Sequence, residues 1–199
     1  MDRYRSFAEL EKYEKANEDY RIVVRRRPSH IAIMAPHGGG IEFGTAAIAA
    51  SIARPNHTFW AFKGIKQTGN RVLHITSTRF DEPSALMVAA NAQTVVTIHG
   101  CSETAVAIYV GGRHRELGLR IHQSLCRAGF NTQIGGRPAL LGENPSNLCN
   151  QCSGGKGIQL EISAALRKRM FAWSEENGIK RKGKSFHRFT HAVRTALAR

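Results

Sequence analysis

The chain has 199 residues, of which 42% are hydrophobic, and this is sufficient for one domain with a substantial core over residues 1–199. Its 29 lysines and arginines exceed its 15 aspartates and glutamates, so the formal net charge of +14 favours polyanionic partners. The charged start lacks the apolar region of a secretory signal, and the most apolar stretch, "GTAAIAASIA", is well short of the roughly 20 residues that cross a bilayer. We therefore expect cytoplasmic synthesis without a signal peptide and no membrane association, although release by host lysis would leave no mark on the sequence.

Hydrophobic patterning in the first half of the chain predicts strands that alternate with helices. The segment "HIAIMAP" at 30–36 is almost fully apolar and predicts a buried strand, and the alanine-rich segment at 43–53 predicts a closely packed helix. An Asp-Glu-Pro sequence opens a further helix, because proline suits a first helical turn. The predicted helices of this half span 7–17, 43–53 and 82–91, and the predicted strands span 20–27, 30–36, 57–64, 71–78 and 92–100.

The second half continues this alternation but contains one long segment without a regular pattern. Residues 131–156 are rich in Gly, Pro and Asn, and a loop of about 25 residues is unusual in a compact domain unless it is functional. The predicted strands of this half span 105–112 and 157–163, and the predicted helices span 113–128, 164–173 and 184–198, the last of them basic and amphipathic. The whole pattern predicts an α/β fold, a single-domain open mixed sheet flanked by helices.

Four ionisable side chains fall where strands are predicted to end or where burial is costly. His37 and His99 close apolar strands, and functional groups gather at the carboxyl ends of strands in open α/β sheets. Glu42 lies five residues after His37, across a glycine turn that allows the backbone to fold back. Two histidines and one carboxylate, with a fourth position for water, are the pattern of a catalytic zinc site. Glu161, in the apolar strand "GIQLEIS", could move the proton of that water.

Other interpretations of these residues compete with a zinc site. Taken singly, each histidine is more often structural than catalytic, and Glu161 could be an outward-facing residue of a one-sided strand. A phosphate-binding loop needs Lys-Ser or Lys-Thr after its glycines, whereas "PHGGGIEFGT" ends in Phe43, Gly44 and Thr45. A lipase-type oxyanion loop needs a G-x-S-x-G elbow, which "QCSGG" does not supply. These last two interpretations therefore fail.

An ordered set of motifs resembles a known family. The segments "APHGGGIEFGT", "GNRVLHITSTRFDEP", "TVVTIHGC", "IYVGG" and "NPSNLCNQCSGGKGIQLEIS" occur in an order similar to that of the phage-encoded poly-γ-glutamate hydrolases. Prophage members of this family are often labelled "phage-related replication protein". The resemblance spans about 31–167. It implies a zinc peptidase with a carboxypeptidase-like open α/β fold.

The resemblance also implies roles for individual residues. It implies that Glu161 is the general base and acid. The implied zinc ligands are His37, Glu42 and His99, and the implied substrate contacts are His74, Asn150 and Lys156. One position departs from the family pattern: an arginine that would clamp a substrate carboxylate often follows the asparagine of "NLCN", where this chain has Gln151. The side chains that could supply the missing charge are Arg137, Arg113 and Lys156.

The sequence thus predicts a zinc-dependent amidohydrolase that cleaves γ-glutamyl amide bonds in poly-γ-glutamate or a related acidic substrate. The high positive charge is consistent with such a polyanion. Two alternatives stay open. The first is a non-enzymatic nucleic-acid-binding phage protein, which rests on the same charge and on the basic helix at 184–198. The second is a zinc amidohydrolase of small N-acyl amino acids.

Overall fold

The computed structural model of the protein describes residues 2–173 and 180–198, and these contain nine strands and six α-helices. The strands are β1 (Tyr20–Arg25), β2 (Ile31–Gly39), β3 (Thr58–Gly64), β4 (Thr94–Cys101), β5 (Ile108–Gly111), β6 (Thr132–Ile134), β7 (Ile158–Ser163), β8 (Phe171–Trp173) and β9 (Lys180–Lys182). The helices are α1 (Phe7–Leu10), α2 (Thr45–Ala53), α3 (Pro83–Ala90), α4 (Arg115–Arg127), α5 (Ala164–Met170) and α6 (Lys184–Leu197).

Seven of these strands form one mixed sheet, in the order β1-β3-β2-β4-β7-β5-β6. The four central strands β3, β2, β4 and β7 run parallel to one another. At one edge β1 runs antiparallel to β3, and towards the other edge β5 runs antiparallel to β7 and parallel to β6. The carboxyl ends of β2, β4 and β7 therefore lie at the same edge of the sheet, where open α/β proteins form their sites.

Helices cover both faces of this sheet, and each face has its own hydrophobic core. The helices α2, α4, α5 and α6 pack on one face, against side chains such as Ile33, Val96 and Leu160. The helices α1 and α3 pack on the other face, against side chains such as Met34 and Val95. Consecutive residues thus point to opposite faces, as the two-residue period of a strand requires. The predicted open mixed sheet flanked by helices is confirmed.

The basic helix near the carboxyl terminus is a packing element. The spacing of Phe186, Phe189, Val193 and Leu197 places these apolar side chains on one stripe of α6, and all four are buried against the α2 face of the sheet. Its histidines and most of its basic side chains are exposed on the opposite side. Neither α6 nor any other helix in the described part of the chain is long and apolar enough to span a membrane.

The predicted strand at 71–78 is wrong. The structure instead forms two short 3-10 helices, Asn70–Leu73 and Ser77–Arg79, joined by three extended residues. Leu73 and Ile75 are buried, so the alternation that predicted a strand does record burial. The backbone of the extended residues bonds to side chains from other parts of the chain, however, rather than to a neighbouring strand.

Two predicted helices are too long, and the predicted loop is more ordered than expected. The helix predicted at 164–173 ends at Met170, because the next residues form β8 and pair with β9. The helix predicted at 7–17 ends at Leu10, after which the chain turns towards β1. The segment 131–156 contains β6 and two further 3-10 helices.

Candidate metal centre

A bulge near the end of β2 turns His37 towards the site. Ala35 pairs with Ala61 of β3, and the next pair is Gly38 with Lys63. β2 therefore has two residues between these pairs where β3 has one. By the two-residue period of a strand, His37 would share the face of Ala35. Its ring instead contacts Phe80 in the core of the opposite face, with ring centroids 6.2 Å apart. The extra residue re-aims the histidine, which is a common effect of bulges beside functional sites.

The glycine turn after His37 brings Glu42 back to the same place. Gly39 has a φ of 66°, and a Cβ there would lie 2.2 Å from the carbonyl oxygen of Gly64, so this position requires glycine. The N–H of Glu42 donates to the carbonyl of His37 at 2.9 Å. The Glu42 carboxylate then lies 3.4 Å from Nδ1 of His37 and accepts a 2.8 Å hydrogen bond from the N–H of Gly100 in β4.

His99 in β4 completes a compact cluster of three side chains. Its Nδ1 lies 3.1 Å from Nδ1 of His37 and 4.0 Å from a carboxylate oxygen of Glu42. One ligand atom from each of the three residues lies within 4.8 Å of the other two, and all three side chains are buried. The cluster therefore directs two imidazole nitrogens and one carboxylate at a shared point.

The donor atoms of this cluster fit a divalent cation. Nε2 of His37 pairs with the carbonyl of Ile75 at 2.8 Å, so Nε2 carries a hydrogen, and Nδ1 is the nitrogen that can bind an ion once it has released any proton of its own. Two nitrogens bonded to one ion of the size of zinc lie about 3.3 Å apart at tetrahedral angles, which is close to the observed 3.1 Å. Nε2 of His99 is buried without a hydrogen-bond partner among the described residues, although the second ring nitrogen of a metal-binding histidine usually donates to an acceptor.

The pKa shifts of the cluster reflect one buried negative charge shared with two imidazoles. Burial raises the pKa of Glu42, but the charge and hydrogen bond of His37 outweigh burial and hold this pKa at about 2. Burial lowers the pKa of His37, whereas the Glu42 carboxylate raises it more, so the net shift is upward. Burial and the charge of His37 lower the pKa of His99 to about 3. The ionised carboxylate of Glu42 thus favours a proton on His37, and a bound metal ion would displace that proton.

Glu161 lies beside this cluster on the adjacent strand. In the parallel pairing of β4 with β7, its Cα is the partner of the Cα of His99. The side chain is buried, and one carboxylate oxygen accepts a 3.0 Å hydrogen bond from the amide of Gln159. Burial and the charge of Glu42 raise the pKa of Glu161 to about 8. Without a metal, the cluster therefore favours the protonated form of this carboxyl group, whereas a divalent cation beside it would favour the carboxylate.

Arg167, which the sequence did not single out, holds the segments of the site together. Its buried guanidinium donates to the backbone carbonyls of Phe43, Cys101 and Ile162, at 2.8, 3.1 and 3.0 Å. These carbonyls follow three site residues by one or two positions, namely Glu42, His99 and Glu161. Only the fold reveals this role, because "AALRKRM" has the composition of an ordinary basic helix.

Two of the predicted substrate contacts, His74 and Arg137, lie at the cluster and beside the loop after β4, respectively. The ring of His74 stacks on that of His37, with centroids 4.1 Å apart, and its Nε2 lies 3.9 Å from the Glu42 carboxylate. The Arg137 side chain is 77% exposed and pairs at 3.4 Å with Glu103, in the loop that follows β4. The structure thus places His74 at the cluster and Arg137 beside the chain that leaves the His99 strand.

The other two predicted contacts have different surroundings. The buried amide of Asn150 donates to two carbonyls of its own loop and accepts from the N–H of Gly157, so it helps to shape the chain before β7. Lys156 and Arg113 line a cavity of about 600 Å³ at the start of α4. Gln151, at the position where the family often has an arginine, donates to a loop carbonyl at 2.8 Å.

The open mixed sheet and the cluster at its carboxyl-terminal edge define an α/β protein of the zinc carboxypeptidase-like class. A family model described as "Poly-gamma-glutamate hydrolase" matches residues 4–192. The chain therefore belongs to the poly-gamma-glutamate hydrolase family, and it is a hydrolase of γ-glutamyl amide bonds. The family resemblance seen in the sequence is confirmed.

Curated relatives and solved structures resemble the chain over most of its length. UPF0714 protein YndL from Bacillus subtilis (strain 168) is 35% identical over 201 residues, which cover 96% of this chain and 76% of YndL. A solved structure of a bacteriophage poly-gamma-glutamate hydrolase is 32% identical, with a TM-score of 0.94 over 100% of this chain and 97% of that chain. A zinc-free apo structure of YndL is 34% identical, with a TM-score of 0.92 over 100% of this chain and 98% of that chain.

Replacing Arg167 by alanine should lower the free energy of unfolding by about 3 kcal/mol or more, because three carbonyls lose a donor in a buried place. Denaturant unfolding followed by circular dichroism measures this change. The exposed neighbour Arg169 offers a matched control, and its replacement by alanine should change the same quantity by about 0.5 kcal/mol or less. Equal effects of the two substitutions would contradict the role given to Arg167.

Proposed function

We propose that the protein is a zinc-dependent hydrolase that cleaves γ-glutamyl amide bonds in poly-γ-glutamate or a related acidic substrate. The observation that carries this proposal is the meeting of His37, Glu42 and His99 ligand atoms within 4.8 Å of one another. Family membership and the likeness to a bacteriophage poly-gamma-glutamate hydrolase support the reaction. The likeness to a YndL structure described as zinc-free supports the choice of metal.

Three residues would hold the zinc: His37 and His99 through Nδ1, and Glu42 through its carboxylate. Two imidazoles and a carboxylate leave a fourth position for water or substrate, as in catalytic zinc sites. Bound zinc would supply a water of lowered pKa and would polarise the carbonyl of the scissile amide. The carbonyl of Ile75 keeps a hydrogen on Nε2 of His37 and so keeps Nδ1 available as a ligand.

Glu161 would move the proton in this reaction. Its carboxylate would take a proton from the attacking water and deliver it to the nitrogen of the leaving amine, so that the amine departs neutral. Its position as the strand partner of His99 places the carboxylate beside the cluster. Gln159 donates to one of its oxygens and orients the carboxylate, so that the other oxygen is left for the water.

Basic side chains near the cluster would hold the carboxylates of the substrate. Arg137 is the best placed, because its partner Glu103 also accepts a hydrogen bond from the hydroxyl of Tyr109. Tyr109 is in turn the β5 partner of Glu161, which connects the exposed guanidinium to the proposed base.

Further proposed contacts with the substrate are His74 and Lys156. The amide of Asn150 is already bonded within its own loop, which supports a role in shaping that loop. The net charge of +14 adds long-range attraction for a polyanion. The same charge and the basic helix at 184–198 supported a non-enzymatic nucleic-acid-binding protein; membership of a hydrolase family contradicts the non-enzymatic part of that alternative, and nucleic-acid binding itself stays a prediction.

Metal content and activity should separate the ligands from the base. We expect about one zinc per chain in wild type and in Glu161→Gln, but little or none in His99→Ala. Hydrolysis of poly-γ-glutamate should fall by at least about 100-fold in Glu161→Gln, because the proton carrier is lost while the metal stays. Mass spectrometry of zinc-reloaded protein and an assay of polymer cleavage measure the two quantities.

Two exposed residues offer controls of the same chemistry, and both His187→Ala and Glu18→Gln should match wild type in zinc content and activity. Wild-type protein that holds no zinc after reloading would overturn the proposal. Normal activity in Glu161→Gln would remove Glu161 from the mechanism.

Screening by salt should distinguish a polymeric substrate from a small one. Raising sodium chloride from about 50 to about 500 mM should increase KM for long poly-γ-glutamate several-fold, because attraction beyond roughly 10 Å is screened. The KM for a γ-glutamyl dipeptide should change by less than about 2-fold, since few of its charges lie far from the site. Initial rates at constant pH measure both. Faster cleavage of the dipeptide with no difference in salt response would favour the small N-acyl amino acid alternative.

A further inference from the structure

Asp2, close to the amino terminus, is bonded to the segment that packs on the metal cluster. We propose that Asp2 is a positioning residue of the active site, which directs His74 towards the substrate and keeps Nδ1 of His37 available to the metal. The inference rests on the proposed function for the metal and the reaction. Asp2 lies outside the residues that the family model matches, and the sequence motifs do not mark it.

The Asp2 carboxylate accepts four hydrogen bonds. One oxygen accepts from Nδ1 of His74 at 2.8 Å. The other oxygen accepts from the N–H and the hydroxyl of Thr76, at 2.7 and 2.6 Å, and from the guanidinium of Arg79 at 2.9 Å. Burial raises the pKa of Asp2, but the hydrogen bonds from Thr76 and His74 outweigh burial and hold this pKa at about 2. The carboxylate is therefore charged at neutral pH.

The bond to Asp2 determines which nitrogen His74 presents to the cluster. An ionised carboxylate only accepts hydrogen bonds, so Nδ1 of His74 carries a hydrogen and Nε2 is the atom that faces Glu42, at 3.9 Å. The ring stacks on that of His37, with 26° between the ring planes. The side chain of His74 is also 22% exposed, so part of it is open to solvent beside the cluster.

Ile75, which lies between two partners of Asp2, acts directly on a proposed zinc ligand. Its carbonyl pairs with Nε2 of His37 at 2.8 Å and so leaves Nδ1 of His37 for the metal. Asp2 bonds to His74 and Thr76, on both sides of Ile75, and thereby fixes the direction of this carbonyl. Outer partners of this kind set the tautomer and orientation of metal-binding histidines. One carboxylate thus positions two imidazole rings.

The amino-terminal segment is anchored independently of Asp2. Tyr4 and Phe7 are buried in the core of the α1 face. The hydroxyl of Tyr4 donates to the carboxylate of Glu14 at 2.6 Å. Removal of the Asp2 carboxylate should therefore leave the fold in place, so that a loss of metal affinity or activity reports on the site.

The test compares Asp2→Ala and Asp2→Asn with the wild-type protein. Asp2→Ala should bind zinc about 10-fold more weakly in a chelator competition, as expected when an outer partner of a metal ligand is lost. The kcat on poly-γ-glutamate should fall by about 10-fold or more with a smaller change in KM, because misplaced groups act on the reacting atoms more than on the rest of the substrate. Asp2→Asn keeps an acceptor without the charge, and its values should lie between those of wild type and Asp2→Ala.

Asp19 provides a matched control in the same part of the chain. It pairs with Lys66 at 3.3 Å and accepts a hydrogen bond from the N–H of Lys15 at 2.8 Å, without contact to residues 74–76 in the described structure. Asp19→Asn should match wild type in zinc affinity, kcat and KM. A melting temperature for each variant shows whether it folds, and Asp2→Asn carries the comparison where Asp2→Ala does not fold.

A further readout needs neither zinc nor substrate. Nitrogen NMR of the imidazoles in metal-free protein should show the hydrogen of His74 on Nδ1 in wild type, and the Nε2-hydrogen form should increase in Asp2→Ala. Unchanged zinc affinity, kcat and His74 tautomer in a folded Asp2 variant would overturn the positioning role. Wild-type protein that neither binds zinc nor cleaves the polymer would instead overturn the proposed function, and the NMR result would still decide whether Asp2 orients His74.

Discussion

The parallel pairing of β2, β4 and β7 is the constraint on which the site depends. Because these strands run in one direction, their carboxyl ends meet at one edge, and residues distant in sequence arrive there together. The register matters as much as the direction: His99 and Glu161 are strand partners, and a slip of one residue would turn one of them into the opposite core. Their neighbours Ile98 and Leu160 are buried in that core and hold the register.

Ionisable side chains are buried at this edge of the sheet, although burial of charge is unfavourable unless the charge has partners. Glu42 is only 7% exposed, and a buried carboxylate is costly unless it has partners. It has two imidazoles and the N–H of Gly100. Gly100 also leaves room for Arg167, since a Cβ there would lie 2.5 Å from the guanidinium carbon. The surrounding fold thus stabilises a cluster of buried ionisable groups that would be unfavourable by itself. Such exceptions to the local rules of folding are expected at functional sites.

The parts of the site that could be predicted from the sequence lie within single strands and the turns that follow them. Apolar runs ending at His37 and His99 indicate nearby strand ends, although β2 and β4 each continue for two further residues, and the glycines before Glu42 indicate a tight turn. The rest depends on contacts between distant segments. Asp2 and His74 are 72 positions apart, and Arg167 and Phe43 are 124 positions apart, so no local pattern records these pairs.

The strand predicted at 71–78 was wrong for a related reason. The alternation of Leu73 and Ile75 reports that one side of the segment is buried, but it does not report what the backbone bonds to. In the structure, the backbone of this segment bonds to the side chains of His37 and Asp2. A segment with the sequence pattern of a strand thus contributes to the site and does not join the sheet. The bulge that re-aims His37 is equally invisible, because it is defined by the pairing with β3.

Anomalous diffraction at the zinc absorption edge, from crystals of the zinc-loaded protein, would locate the metal most directly. We predict one peak within bonding distance, about 2.0 to 2.2 Å, of Nδ1 of His37, Nδ1 of His99 and a carboxylate oxygen of Glu42, with Glu161 outside that distance. A peak at other side chains, or coordination through Nε2 of either histidine, would contradict the site described for this protein.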